Sequence, residues 1–280
     1  MYDDIQFIEE IDSDGRRYVV RLDGKRIITN TFKEFLKAMD LIRELPENCR
    51  GKTLDLVSAK RRARRNRRKE TFAGIVAQPR RDDDIKIYHS RFQELDIEPG
   101  SVDLVFTDIP YGAEFLPEVE DLAQFAEHWL GDRGLFASYV GQQHLPKYME
   151  VFGKHLSWGW MAATTWKGDA PTQHQRNCAN LFNPLIVFSK GRWPDKGRWY
   201  DHHHTTGKKE KTYHHWQKPL DDVAWWVRAF SDVGDLVCDP CAGSFTAAEA
   251  CFLERRRFVG CDCVEENVIK GQRRIAKLRT

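Results

Sequence analysis

Two short segments hold residue types whose chemistry depends on their spacing. The first is Thr107-Asp108-Ile109-Pro110-Tyr111-Gly112, at the end of the apolar run 101–107. A carboxylate, a main-chain carbonyl held by a proline and an aromatic ring make an acceptor pair beside a stacking face. Asp108 and the Ile109 carbonyl can accept two hydrogen bonds from a planar NH2 group, and the face of Tyr111 can stack on the ring that bears it. An ordinary β-turn with a half-buried Tyr111 accounts for the same residues, so this segment decides nothing alone.

The second segment is Asp235 to Thr246, DLVCDPCAGSFT. It reads as a strand ending at Asp239, a tight turn containing Gly243, and a helix that begins near Ala247. Glycine in such a turn lets a ligand approach the backbone closely. About twenty residues on, a second strand ends in Gly260-Cys261-Asp262, and a carboxylate in that place can take both hydroxyls of a ribose. A surface Asp after a plain strand-turn-helix explains each piece separately. The combination at this spacing points to a nucleoside-containing cofactor.

These residues must be positioned by regular elements. From Ile85 onward, apolar runs alternate with helical stretches: 85–88, 101–107, 134–140, 184–188, 235–238 and 257–261 read as strands. Continuous apolar strands argue for a doubly wound, mostly parallel sheet in an α/β fold. Ligands in such sheets lie at the carboxyl ends of strands, where Asp108, Asp239 and Asp262 all fall. The catalytic domain is expected to span 85–280. Residues 1–45 read as a small α+β module, with hairpin signals at Asp14-Gly15 and Asp23-Gly24 and a helix capped by Thr31-x-x-Glu34. Residues 46–84 read as a linker or arm.

The chain of 280 residues has a net charge of only +2, unevenly spread. Residues 60–69, KRRARRNRRK, contain Arg61, Arg62, Arg64, Arg65, Arg67 and Arg68. This run is either a solvated linker or a phosphate-contacting segment that releases nucleic-acid counterions. The acidic N-terminus does not resemble a secretory signal, and no run is apolar enough for a membrane span. A cytoplasmic protein with reduced thiols is therefore expected. Cys238-x-x-Cys241 and Cys261-x-Cys263 could suggest zinc, but two of these cysteines lie within predicted buried strands, where Cys acts as a small hydrophobe. No metal site is expected.

Together the segments resemble the amino-methyltransferases of DNA. The catalytic motif of that family is [DNS]-P-P-[YFW] after an apolar strand, and DLVFTDIPYG departs from it only at Ile109. Its cofactor motif, D-P-F-x-G-S-G-T, is matched at Asp239, Pro240, Gly243, Ser244 and Thr246. RRRFVGCDCVEENV resembles its second cofactor strand, and His215-Trp216-Gln217-Lys218-Pro219 its Q-K-P element. The catalytic motif comes first, as in the permuted "beta" arrangement. Val140-Gly141-Gln142 and Phe188-Ser189-Lys190-Gly191 resemble phage-type members. The resemblance covers about residues 84–278.

The resemblance implies a Rossmann-like S-adenosyl-L-methionine-dependent methyltransferase, bacterial or phage-encoded, acting on double-stranded DNA as a monomer or an oligomer. Asp108, Ile109, Pro110 and Tyr111 would be catalytic. Asp239, Pro240, Cys241, Gly243, Ser244, Thr246 and Asp262 would bind the cofactor, with Lys218 and Pro219 at its methionine end. An acidic first residue is commoner among adenine-N6 enzymes than among permuted cytosine-N4 enzymes, which favours adenine. Three residues depart from the pattern: Ile109 leaves the catalytic loop less pre-set, Phe245 replaces a glycine and is expected to tighten the pocket, and Arg91 stands where an acid is common. Residues 142–217, rich in Trp, His and Lys, coincide with the family's target-recognition region. His203, Lys208 and Lys209 are expected DNA contacts there, whereas Trp158 and Trp160 are expected in the core. A cytosine-N4 DNA methyltransferase, an RNA methyltransferase, and a SAM- or DNA-binding protein that kept the fold and lost activity are the rival readings.

Overall fold

The computed structural model describes the backbone of 5–12, 15–22 and 25–29, and residues 84–167, 172–194, 197–206 and 217–279. The chain divides into two compact units, Met1–Ala77 and Gln78–Thr280. In the first, β1 (Ile5–Asp12), β2 (Gly15–Leu22) and β3 (Lys25–Thr29) form an antiparallel meander. Its hairpins close at Asp12↔Gly15 and Leu22↔Lys25, leaving two-residue connections. The expected helix after Thr31 and the basic run at 60–69 lie outside the described residues.

The second unit is built on one eight-stranded sheet. Its strands are β4 (Ile85–His89), β5 (Val102–Asp108), β6 (Leu130–Tyr139), β7 (Ser157–Trp166), β10 (Phe182–Ser189), β11 (His202–Thr205), β12 (Leu236–Asp239) and β13 (Arg257–Asp262). A separate two-residue pair, β8 (Thr172–Gln173) and β9 (Cys178–Ala179), sits between β7 and β10 in the chain. The sheet order is β11-β7-β10-β6-β5-β12-β13-β4. Within it, β10 alone runs against its neighbours. The central strands are apolar without alternation because both faces are covered: Leu104, Val105 and Phe106 are buried, as are Leu185 to Phe188.

Two helices cover one face and three the other. α1 (Glu118–Trp129) and α2 (Leu145–His155) pack on a core containing Val105, Phe136, Ile186 and Phe188. α3 (Leu220–Phe230), α4 (Thr246–Leu253) and α5 (Glu265–Arg279) pack on a core containing Leu104, Tyr139, Val187 and Val237. α1 shows the cause plainly. Val119, Leu122, Ala123, Ala126 and Trp129 recur at helical spacing and are buried, while Glu118, Glu120 and Asp121 sit in its first turn, where the helix dipole favours negative charge.

β7 begins at Ser157 and so includes both Trp158 and Trp160, which corrects the placement of these two tryptophans. Trp158 and Trp160 are 47% and 53% exposed, not core. The register of β7 on β10 shifts between Val187 and Phe188, so the two indoles turn to opposite faces: Trp158 stands edge-on to Phe188, and Trp160 Nε1 donates to Asp201 at 3.0 Å.

Candidate active site

The sheet topology brings the three carboxylates to one edge. β5 pairs parallel with β12, and β12 with β13. Their carboxyl-terminal residues, Asp108, Asp239 and Asp262, therefore end on the same side. β12 lies between β5 and β13, and from this junction the chain proceeds outward in opposite directions, the arrangement that opens a crevice in α/β sheets.

Asp108 is in a closed triangle of polar groups. The Tyr111 hydroxyl donates to its Oδ1 at 2.9 Å, and Lys218 Nζ lies 3.2 Å from its Oδ2. Lys218 also donates to the Tyr111 hydroxyl at 2.9 Å and stands 4.7 Å above the Tyr139 ring. Desolvation, and then the neighbouring Asp108, push the Tyr111 phenol well up. Ile109 is buried, so its side chain anchors the loop in the core. Behind Tyr111, a Cβ on Gly141 would meet Tyr111 Cβ at 3.1 Å, so the glycine is what lets the two segments approach. The sequence contained that glycine only as part of a resemblance.

The cofactor-like turn is built as tightly. Gly243 has φ +49°, a conformation L side chains rarely adopt, and an added Cβ there would enter open space. Its N–H donates to Asp262 Oδ2 at 2.9 Å. The other Asp262 oxygen accepts from the Val264 N–H at 2.9 Å and from Asn267 Nδ2 at 3.0 Å. Asp239 is pushed up to about 7, chiefly by burial and further by the carboxylates of Asp108 and Asp262, against the Cys241 N–H at 3.2 Å. An open glycine cradle flanked by a half-exposed carboxylate and a buried one suits a ribose-bearing cation. Burial raises the Cys241 thiol well above its ordinary range.

Several expected contacts are placed differently. The Ser244 and Thr246 hydroxyls are buried and bond each other at 2.9 Å, and Arg274 donates to the Ser244 carbonyl and the Thr246 hydroxyl, each at 3.0 Å. They brace the turn. Pro240 is buried, and its carbonyl accepts from the Cys261 thiol. Phe245 does not tighten the pocket: it is fully buried, and a Cβ on Gly271 of α5 would lie 2.3 Å from its ring, so the ring fills the space over that glycine. Arg91 turns to Glu118, with Nη2 2.8 and 2.9 Å from the two carboxylate oxygens. Lys218 faces Asp108 and the Tyr111 hydroxyl, and Pro219 stands at the N-cap of α3.

His203 is turned inward, not toward a DNA surface. Strand alternation leaves His202 and His204 exposed while the His203 ring stacks on Trp225 with centroids 4.6 Å apart. Burial lowers its pKa. Lys208 and Lys209, with Arg61, Arg62, Arg64, Arg65, Arg67 and Arg68, lie outside the described residues. Beneath Lys218, Asp222 accepts from the Tyr139 hydroxyl at 2.7 Å, from Thr164 at 2.7 Å and from Trp226 Nε1 at 3.0 Å. This buried cluster ties β6, β7 and α3 together, and burial raises the Asp222 pKa. Among the described residues no cluster of three potential metal ligands forms, and no helix is long and apolar enough to cross a membrane.

The profile of the DNA methylase family, N6_N4_Mtase, matches residues 102–271. No curated protein sequence matches the chain significantly. Among solved structures, M1.HpyAVI in complex with S-adenosylmethionine is similar at a TM-score of 0.58 and 19% identity, covering 68% of this chain and 98% of that one. The cytosine-N4-specific PvuII DNA methyltransferase is similar at 0.58 and 16% identity, covering 68% and 87%. At these identities the likeness is one of fold.

Proposed function

Because the chain belongs to the DNA methylase family, we propose that it methylates adenine N6 in double-stranded DNA, with Asp108, Ile109, Pro110 and Tyr111 receiving the flipped base. S-adenosyl-L-methionine, the cofactor of this family, supplies an electrophilic methyl group on a sulfonium. Asp262 and the Gly243 turn would bind its ribose, Asp239 would complete the acidic side of its pocket, and Lys218-Pro219 would hold its methionine end. Asp108 and the Ile109 carbonyl accept hydrogen bonds from the amine and orient the nitrogen lone pair. Tyr111 stacks on the base, and Asp108 stabilises the positive charge that develops on nitrogen. The support is the convergence of Asp108, Asp239 and Asp262 on one sheet edge, with Tyr111 held against Asp108. Adenine is favoured by the acid at the first catalytic position.

Residues 85–280 would then be the catalytic domain, with target recognition within 142–217. The six arginines between Arg61 and Arg68, with Lys208 and Lys209, would contact phosphates. On β11 the exposed imidazoles available to DNA are those of His202 and His204. The test is transfer of labelled methyl to DNA and RNA followed by nucleoside analysis. N6-methyladenine in DNA is expected from the wild type. Asp108→Ala should abolish it while binding of S-adenosylhomocysteine persists. N4-methylcytosine would replace the base assignment, label in RNA the polymer, and no label the catalytic reading itself.

A further inference from the structure

We propose that Lys218 is a two-position residue: its ammonium pairs with Asp108 until a carboxylate on the bound cofactor draws it away. This rests on the reading above, in which Asp108 receives the amine and the amino-acid end of the cofactor reaches Lys218. Each oxygen of Asp108 has a polar partner. Oδ1 accepts from the Tyr111 hydroxyl at 2.9 Å, and Oδ2 faces Lys218 Nζ at 3.2 Å. An amine that binds Oδ2 must therefore share that oxygen with the lysine, beside a positive charge that opposes the charge developing on its nitrogen. Lys218 also donates to the Tyr111 hydroxyl at 2.9 Å, so the ring meant to stack on a base is tethered at its hydroxyl end.

The lysine is fixed at its root, and its tip is held by polar contacts alone. Gln217 on one side is buried and Pro219 on the other begins α3. The ammonium carries three donors on a flexible four-carbon stem, so Nζ can move several ångströms while Cα stays. The Tyr139 ring, 4.7 Å below Nζ, makes a cation-favouring floor. An ammonium shared between two carboxylates divides its donors and its charge between them. A ligand carboxylate near Lys218 must compete with Asp108, and by linkage Asp108 must weaken the binding of that carboxylate. Freed of the lysine, Asp108 Oδ2 is an open acceptor and Tyr111 loses one of its two tethers. The amine site thus opens in the cofactor-loaded protein.

The linkage is tested on the full-length protein by calorimetry with two ligands: S-adenosylhomocysteine, which carries the amino-acid carboxylate, and 5′-methylthioadenosine, which lacks it. Asp108→Asn should tighten S-adenosylhomocysteine binding about fivefold, the scale of a partly exposed ion pair. In a Lys218→Met background the same substitution should change nothing, and 5′-methylthioadenosine should respond in neither. Lys218→Gln serves as a second background, with thermal melts reporting the fold. Unchanged or weaker binding in Asp108→Asn, or an equal effect in both backgrounds, overturns the proposal. Failure of the underlying reading looks different: Asp108→Ala that keeps full methyl transfer removes Asp108 as the amine acceptor, and failure of either ligand to bind the wild type removes the cofactor site.

Discussion

Replacing Asp262 by alanine isolates what the cofactor side of the site contributes. The carboxylate offers about four lone-pair positions. In the unliganded protein three are used, by the Gly243 N–H at 2.9 Å, the Val264 N–H at 2.9 Å and Asn267 Nδ2 at 3.0 Å. One acceptor position on Oδ2 remains for a ribose hydroxyl, and a second hydroxyl binds only if Asn267 gives up its place. A hydrogen bond to a charged acceptor contributes about 1.5–3 kcal/mol, so losing the single open position weakens binding roughly 10- to 150-fold. Displacement of Asn267 would carry the loss beyond that range. The substitution also leaves two backbone donors without their acceptor and lowers stability. Calorimetry with S-adenosylhomocysteine therefore has to be run well below the melting temperature of the variant, with circular dichroism reporting the folded fraction. Asparagine is a poor control, since its amide would set a donor against Gly243 or Asn267. An unchanged Kd in folded Asp262→Ala would falsify the ribose assignment.

Three further outcomes are expected. Gly141→Ala pushes a methyl to 3.1 Å from Tyr111 Cβ; methyl transfer to DNA should fall at least several-fold while S-adenosylhomocysteine affinity holds, and unaltered kcat/KM would show that Tyr111 shifts freely. His155 bridges α1 and α2 through Glu120 at 2.9 Å and Glu127 at 3.0 Å, and these contacts, Glu120 foremost, raise its pKa against a smaller opposing effect of burial; Lys154 also pairs with Glu120. A raised pKa contributes stability that is complete below the unfolded value, about 6.5, and is lost as pH rises through the folded value. The Tm gap between wild type and His155→Gln should be widest in acid and shrink as pH rises, and a gap independent of pH would show that the imidazolium is not involved. Neutralising Arg61, Arg62, Arg64, Arg65, Arg67 and Arg68 together should weaken DNA binding for every sequence and flatten its salt dependence, without altering the methylated base; an unchanged salt slope would mark the run as a linker.

The sheet was legible in the sequence because strands covered on both faces must be apolar throughout. Leu104 to Phe106 and Leu185 to Phe188 carry that signal, and the acids that close β5, β12 and β13 mark their ends. Legibility failed where contacts are distant or side-chain direction is unmarked. Three consecutive histidines give no apolar alternation to show that His203 is the inward one. The start of β7 was hidden by exposed tryptophans flanking Gly159. The pairing of Lys218 with Asp108 spans 110 residues of chain, and that of Tyr139 with Asp222 spans 83. Phe245 misled for a local reason: a bulky residue in a glycine position looks obstructive until Gly271, on a different helix, is seen to make its room.

The order of motifs along the chain and their order in space are independent, and the sheet shows why. β12 inserts between β5 and β13, and β13 is closed on its far side by β4, with Phe258 opposite Ile85. The C-terminal strands that hold the cofactor turn are thus clasped on both sides by strands from before residue 109. Neither half has a complete sheet alone: without β12 and β13, β4 lacks its neighbour, and without β5 the turn after Asp239 loses Asp108 beside it. Closing such a sheet costs loop entropy that grows only slowly with the length enclosed, so the long intervening segment adds little to that cost. The same argument explains how a target-recognition region can be carried between the two motifs. The described strands that residues 142–217 contribute to the sheet, β7, β10 and β11, lie on the side of β6 away from β12, so the junction of β5 and β12 is left undisturbed.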